Sequence, residues 1–177
     1  NTGKAEAVRQ GMLYALENLK SEYIGFWDAD LATPLNEIDS FIEYFQENNC
    51  KMIMGCRLMR LGANVKRKNT RHYLGRIFAT VASVVLNLRV YDTQCGAKLF
   101  KTDIVLSLFD KPFISRWLFD VELLARYITT FGLEDANNNI YEYPLASWED
   151  VAGSSIKIVD FFKAPIELWK IKRKYLK

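Results

Sequence analysis

The stretch Ile24-Gly25-Phe26-Trp27-Asp28-Ala29-Asp30-Leu31-Ala32-Thr33-Pro34 decides how this chain is read. An apolar run with the character of a buried strand ends in two carboxylates one residue apart. If the extended geometry continues through Asp30, strand alternation points both the same way. Asp28 closes an apolar strand, where an ionised group is costly without a partner. Two convergent carboxylates suit a hard divalent cation completed by water and phosphate oxygens. Thr33-Pro34 then turns the chain, and Glu37-Ile38-Asp39 opens a helical pattern. Strand, acidic turn and helix in that order mark the ligand end of an open α/β sheet. Taken alone, Asp-x-Asp is also what any acidic loop produces.

Working outward, the pattern is that of one α/β domain. Ala5, Val8, Met12, Ala15, Leu16 and Leu19 fall on one side of a first helix, with Asn1 or Thr2 as its N-cap. Ile38, Phe41, Ile42 and Phe45 mark a helix over Asn36–Gln46, and Met52–Cys56 is a wholly apolar strand suited to a sheet covered on both faces. A helix is expected from Arg71 to Leu88, a loop then strand within Tyr91–Phe100, and a short helix over Ile104–Phe109. A longer helix over Asp120–Phe131, a strand over Ile140–Pro144 and a polar loop over Ser147–Ser155 follow. The final segment is amphipathic, with Ile158, Phe161, Phe162, Ile166 and Trp169 on one side and Pro165 expected to kink or divide it.

Charge is unevenly spread over the 177 residues, although the net value is only +3. No acidic residue lies between Glu47 and Asp92, a span with nine lysines and arginines. Lys157–Lys177 holds seven basic and two acidic residues. Such runs are either solvated faces or regions for phosphates and an anionic surface. They are expected to lack interleaved exposed aromatics, which argues against nucleic acid. Cys50, Cys56 and Cys95 have no metal-ligand spacing and read as reduced thiols in a cytosolic setting, Cys56 and Cys95 as small core residues. The single histidine, His72, has no Cys or His nearby and reads as structural or exposed. No apolar run reaches membrane-spanning length.

Several segments together resemble the family-2 glycosyltransferases. They are Asn1-Thr2-Gly3-Lys4-Ala5 with Ala7–Met12, Asp28–Pro34, Gly55-Cys56-Arg57, Asp92-Thr93-Gln94-Cys95-Gly96, Trp117–Leu124, and Trp148-Glu149 with Gly153-Ser154. The branch resembled is that of the polyprenyl-phosphate (dolichyl-phosphate) glucosyl- and mannosyltransferases. The resemblance implies an α/β fold of GT-A type, an open mixed sheet flanked by helices. Residues 1–177 would form a single domain, with 157–177 an amphipathic basic tail. It would be incomplete at the N-terminus by about two βα units, on the order of 60 residues at about 30 per unit.

The implied reaction is metal-dependent and inverting. A sugar passes from a nucleoside-diphosphate sugar to a polyprenyl phosphate. By the resemblance, Asp28 and Asp30 hold Mg2+ or Mn2+, and Lys4, Arg57 and Arg71 bind the donor diphosphate. Asp92 and Asp120 are the catalytic candidates, although Asp92 could equally cap a turn and Asp120 a helix. Gln94, Glu122, Trp148 and Ser154 lie near sugar or acceptor. Ala32 stands where mannosyl relatives carry glutamine, which favours the glucosyl branch. Ser155 stands where relatives carry lysine. The expected setting is cytoplasmic, at the inner face of a membrane, with homo-oligomerisation open. The competing readings are a soluble saccharide acceptor and a non-catalytic nucleotide-binding or scaffold domain.

Overall fold

The computed structural model describes the backbone of residues 3–66, 69–150 and 158–176, and the side chains of 3–66, 73–150 and 163–176. Four strands form the main sheet in the order β1 (Tyr23–Trp27), β4 (Ala97–Lys101), β2 (Met52–Cys56) and β5 (Ile140–Pro144). β4 runs antiparallel to both β1 and β2, whereas β5 is parallel to β2. β1, β2 and β5 therefore all end at the same edge of the sheet, and β4 begins there. This mixed topology delivers four loops to one place.

Alternation along each strand sorts the core into two layers. Ile24, Met52, Met54 and Phe100 face one layer with α1 (Lys4–Asn18), α3 (Asn69–Leu86), α4 (Thr102–Phe109), α5 (Phe119–Phe131) and α7 (Ile158–Tyr175). Ile53, Ala97 and Leu99 face the other, packed on Phe41 and Phe45 of α2 (Glu37–Glu47). β2 is buried throughout, as its unbroken apolar sequence requires. The three thiols are buried and unpaired, and burial pushes those of Cys56 and Cys95 well above their ordinary value, as expected of inert core residues.

Several elements differ from the sequence reading. The basic stretch after β2 contains β3 (Asn64–Lys66), and the supposed polar loop contains β6 (Ser147–Glu149). These pair in parallel as a small second sheet. Neither has the length or alternation that marks a strand on its own. α6 (Leu133–Asn139) also went unread, because Asn137-Asn138-Asn139 resembles a loop. α7 runs as one assigned helix through Pro165. It meets the core through Ala164, Leu168 and Ile171, while Ile166 and Trp169 are exposed. The Asn1/Thr2 cap and the side chains of His72, Ile158, Phe161 and Phe162 lie outside the described residues. No described helix is long and apolar enough to cross a membrane.

Asp135 of α6 joins three elements. Its carboxylate accepts hydrogen bonds from Lys51 Nζ (2.7 Å), Tyr127 Oη (2.7 Å) and Asn139 Nδ2 (2.9 Å). Burial pushes its pKa up, but these donors together outweigh that and hold it below the ordinary value. Asp135→Asn is expected to lower stability by about 2 kcal/mol at neutral pH, in the range for hydrogen bonds to a charged group. A depressed acid contributes fully above its unfolded pKa of about 4 and loses that contribution as pH falls through the lower folded value. Denaturation of both proteins across this window is expected to show the difference shrinking toward low pH.

Candidate functional site

The turn after β1 departs from the extended path that alternation assumed. Trp27 is the last paired residue, and Asp28 N donates to Gly96 O (2.8 Å). The chain then turns: Leu31 N donates to Asp28 O (3.0 Å), and Leu31 adopts φ 53°. Asp30 Oδ1 accepts from Ala32 N (3.1 Å), the Asx geometry that stabilises such a turn. The two carboxylates thus sit on a turn, not on one strand face. Asp28 lies directly over Gly96. A Cβ at position 96 would come within 2.0 Å of its carboxyl carbon, so only glycine fits. Lys4, at the start of α1, donates to Asp28 Oδ1 (2.6 Å). The next segment is tied down from the far side. Glu149 N donates to Ala32 O (3.2 Å), and Glu37 accepts from the amides of Ala146 and Ser147.

Arg57 follows β2 and meets Asp92 from the loop before β4. Nε and Nη2 donate to the two carboxylate oxygens at 2.6 and 2.7 Å, and Arg57 N adds a bond of 3.1 Å to Oδ2. This bidentate geometry is the strong form of the arginine–carboxylate pair. Burial works against the guanidinium charge, but Asp92 outweighs it and holds the Arg57 pKa above its ordinary value. Trp148 lies beneath, its ring centroid 5.3 Å from the guanidinium. Arg57 therefore does not present the open fork expected for a phosphate. Its Nη1 makes no hydrogen bond among the described residues. Asp92 also caps its own turn by accepting from Gln94 N (3.2 Å), which is the turn-capping reading of its sequence position.

The third pair was not foreseen. Lys98 is 0% exposed near the start of β4, and its Nζ donates to Asp120 Oδ1 (2.6 Å), Cys95 O (2.6 Å) and Thr93 O (3.1 Å). Asp120 is 2% exposed, and burial pushes its carboxyl up against the attraction of Lys98 and Lys4. Its carboxylate thus serves an ion pair beneath the loop rather than a helix cap. The sequence signal was a lone lysine at the inward position between Ala97 and Leu99. Glu142 of β5 also went unread. It accepts from the amides of Tyr91 and Asp92, both at 2.7 Å, and burial raises its pKa despite those bonds.

Glu122 does not join this group. It is fully buried, and its oxygens accept from the amides of Ile114 and Ser115, from Arg126 and from the Tyr175 hydroxyl. That set knits α5 to α7 and leaves the carboxylate no open side. The Arg71 side chain and Ser154 lie outside the described residues. No three His, Cys, Asp or Glu side chains converge as a metal cage among the described residues. The donor set at the turn instead suits a cation held by one or two carboxylates, the rest of its shell coming from phosphates and water. Among the described residues, the buried polar atoms Trp27 Nε1, Thr93 Oγ1 and Gln94 Nε2 have no hydrogen-bond partner.

Comparison with known proteins places this geometry. The profile of Glycosyl transferase family 2 matches residues 1–109. The chain is 30% identical over 176 residues to a dolichyl-phosphate beta-glucosyltransferase of Trichomonas vaginalis, covering 97% of this chain and 49% of that protein. It is 30% identical over 189 residues to the Saccharomyces cerevisiae dolichyl-phosphate beta-glucosyltransferase, covering 99% and 53%. The chain thus spans about half the length of the curated relatives it matches. Among solved structures, glucosyl-3-phosphoglycerate synthase of Mycobacterium tuberculosis with phosphoglyceric acid superposes at TM-score 0.64 and 16% identity, over 97% of this chain and 55% of that one. The same enzyme with Mn2+, UDP-glucose and phosphoglyceric acid gives 0.62 and 14%, at the same coverage. These likenesses establish the GT-A fold.

Gly96→Ala is expected to push the Asp28 carboxylate off its floor and to destabilise the protein by about 1–3 kcal/mol, as overpacking does. Adding Asp28→Ala removes the collision. A double-mutant cycle by chemical denaturation is expected to return most of that loss as coupling energy, because the two sites touch.

Proposed function

Since the chain belongs to glycosyl transferase family 2, we propose that it forms part of an enzyme that transfers glucose from a nucleoside-diphosphate sugar to a polyprenyl phosphate of dolichyl type. The observation that carries the reading is the convergence of the Asp28–Asp30 turn, Lys4 and the Arg57–Asp92 pair at the sheet edge where β1, β2 and β5 end. Open α/β sheets bind ligands at such edges. The near relatives named above are glucosyltransferases acting on dolichyl phosphate, and the glycerate synthase binds Mn2+ with UDP-glucose. Mg2+ or Mn2+, when bound, neutralises the leaving diphosphate, and Asp28 and Asp30 are the residues that would hold it.

The other groups act around that core. Asp92 fixes the Arg57 guanidinium with two oxygens, and Nη1, which makes no hydrogen bond among the described residues, is left to donate to a phosphate oxygen. Lys4 adds positive charge beside Asp28. Arg71 is assigned a second phosphate contact, and Ser154 a place near the acceptor. Gln94, on the loop that carries Asp92, is assigned a place near the sugar. A phosphate acceptor is already ionised near neutral pH, so its oxygen attacks the anomeric carbon, the bond to the diphosphate breaks, and configuration inverts. Asp92 positions; it need not remove a proton.

A lipid acceptor calls for a membrane-facing surface, and two adjacent helices offer one. Leu74, Ile77, Val81 and Val84 form an exposed stripe along α3, which has no acidic residue. Ile166 and Trp169 are exposed on α7 beside Lys163, Lys170, Lys172, Arg173 and Lys174. The excess of positive charge repels a second copy of the same face and attracts anionic lipid. Co-sedimentation with anionic vesicles is expected to be salt-sensitive and weakened by replacing Lys170, Lys172, Arg173 and Lys174 with glutamine. Equal recovery of the variant contradicts the assignment.

Transfer is tested with the protein expressed from its complete reading frame. Label from radioactive nucleoside-diphosphate glucose is expected in organic-extractable lipid; recovery in a water-soluble product instead contradicts the lipid acceptor. Asp30→Asn is expected to abolish metal-dependent turnover while the fold persists. Arg57→Ala is expected to weaken nucleoside-diphosphate binding by about 1.5–3 kcal/mol, with Arg57→Lys recovering part, because an ammonium lacks the fork that Asp92 holds. Calorimetric titration measures this.

A further inference from the structure

We infer that Lys98 is a positioning residue of the proposed transfer site, acting through the loop Asp92–Gly96. The inference rests on that site being where transfer occurs. Lys98 has no access to solvent and so touches no substrate. Its ammonium has three protons and three acceptors: Thr93 O, Cys95 O and Asp120 Oδ1. Two of these are main-chain carbonyls on either side of Gln94. The loop they belong to carries Asp92 at one end and Gly96 at the other.

Each end has a defined task. Asp92 holds the Arg57 guanidinium. Gly96 accepts the Asp28 amide and forms the floor under the Asp28 carboxylate. The spacing between Arg57 and the acidic turn is therefore set by the shape of a five-residue loop. Lys98 pins that loop from below, and Glu142 pins it at the Tyr91 and Asp92 amides. The base of the pin is rigid. β4 is the inner strand between β1 and β2, and Asp120 lies in the first turn of α5.

A purely structural lysine would serve only to neutralise Asp120, and the two roles separate by substitution. Lys98→Met alone strands a buried carboxylate, so the informative protein is Lys98→Met with Asp120→Asn, which removes both charges together. Lys98→Leu with Asp120→Leu, an apolar replacement of the whole pair, is a second variant read in the same way. Both are made in the protein expressed from its complete reading frame. Hydrogen exchange of the amides of residues 93–96 is expected to quicken about tenfold or more in a protein whose global unfolding remains cooperative. Sugar transfer is expected to lose about tenfold or more in kcat, while KM for the nucleotide sugar changes much less, because misplacement costs the reacting geometry more than binding. Loop exchange equal to wild type, or kcat retained, overturns the inference while leaving the function standing. A wild-type protein that transfers no sugar overturns the function and the inference together.

Discussion

Three carboxylates, Asp28, Asp92 and Asp120, meet three cations, Lys4, Arg57 and Lys98, at one edge of the sheet, and the rest of the site depends on that pairing. Burying charge is costly unless each group is matched and hydrogen-bonded. The pairs grade in exposure from the outermost to the innermost: Lys4–Asp28 is partly open, Arg57–Asp92 mostly closed, and Lys98–Asp120 sealed. The sealed pair sets the frame. The partly open outer pair leaves groups that solvent or a ligand can reach.

Topology explains why these residues meet. β1, β2 and β5 run one way, so their following residues, Asp28, Arg57 and the Ala146–Trp148 segment, share an edge. β4 runs against them, which brings the loop before it to the same edge. One reversed strand thus places Asp92 and Gly96 opposite Arg57 and Asp28, far away in sequence. Glycine at position 96 is the steric condition for that approach. The small β3–β6 sheet brings Trp148 beneath Arg57.

Much of this was legible in the sequence, and the exceptions have physical reasons. The strand ending at Trp27, the buried strand Met52–Cys56 and the helices around them follow from local periodicity, and the structure contains each of them within a residue or two. Asp28 and Arg57 stand out because they punctuate apolar strands, whereas Asp92 and Gln94 are marked only by the resemblance to the family. Lys98 was not identified, since a lysine in a strand reads as a solvent-facing residue until its neighbours on both sides are known. Glu142 was hidden likewise, its partners lying about fifty residues away in the Tyr91–Asp92 backbone. Alternation misjudged Asp30 because the strand stops before it. β3 and β6 are too short to leave a pattern. The exposed stripe of α3 was visible as apolar residues, but which face is covered is a tertiary property.

The central claim is that the Asp28–Asp30 turn and the Arg57–Asp92 pair form one site for a cation and a diphosphate. The most direct measurement is anomalous diffraction from crystals of the protein grown with Mn2+ and a nucleoside diphosphate. The account predicts an anomalous peak beside the Asp28 and Asp30 carboxylates, with diphosphate oxygens between that ion and Arg57 Nη1. An ion and nucleotide bound elsewhere, with the turn and the arginine untouched, would contradict it.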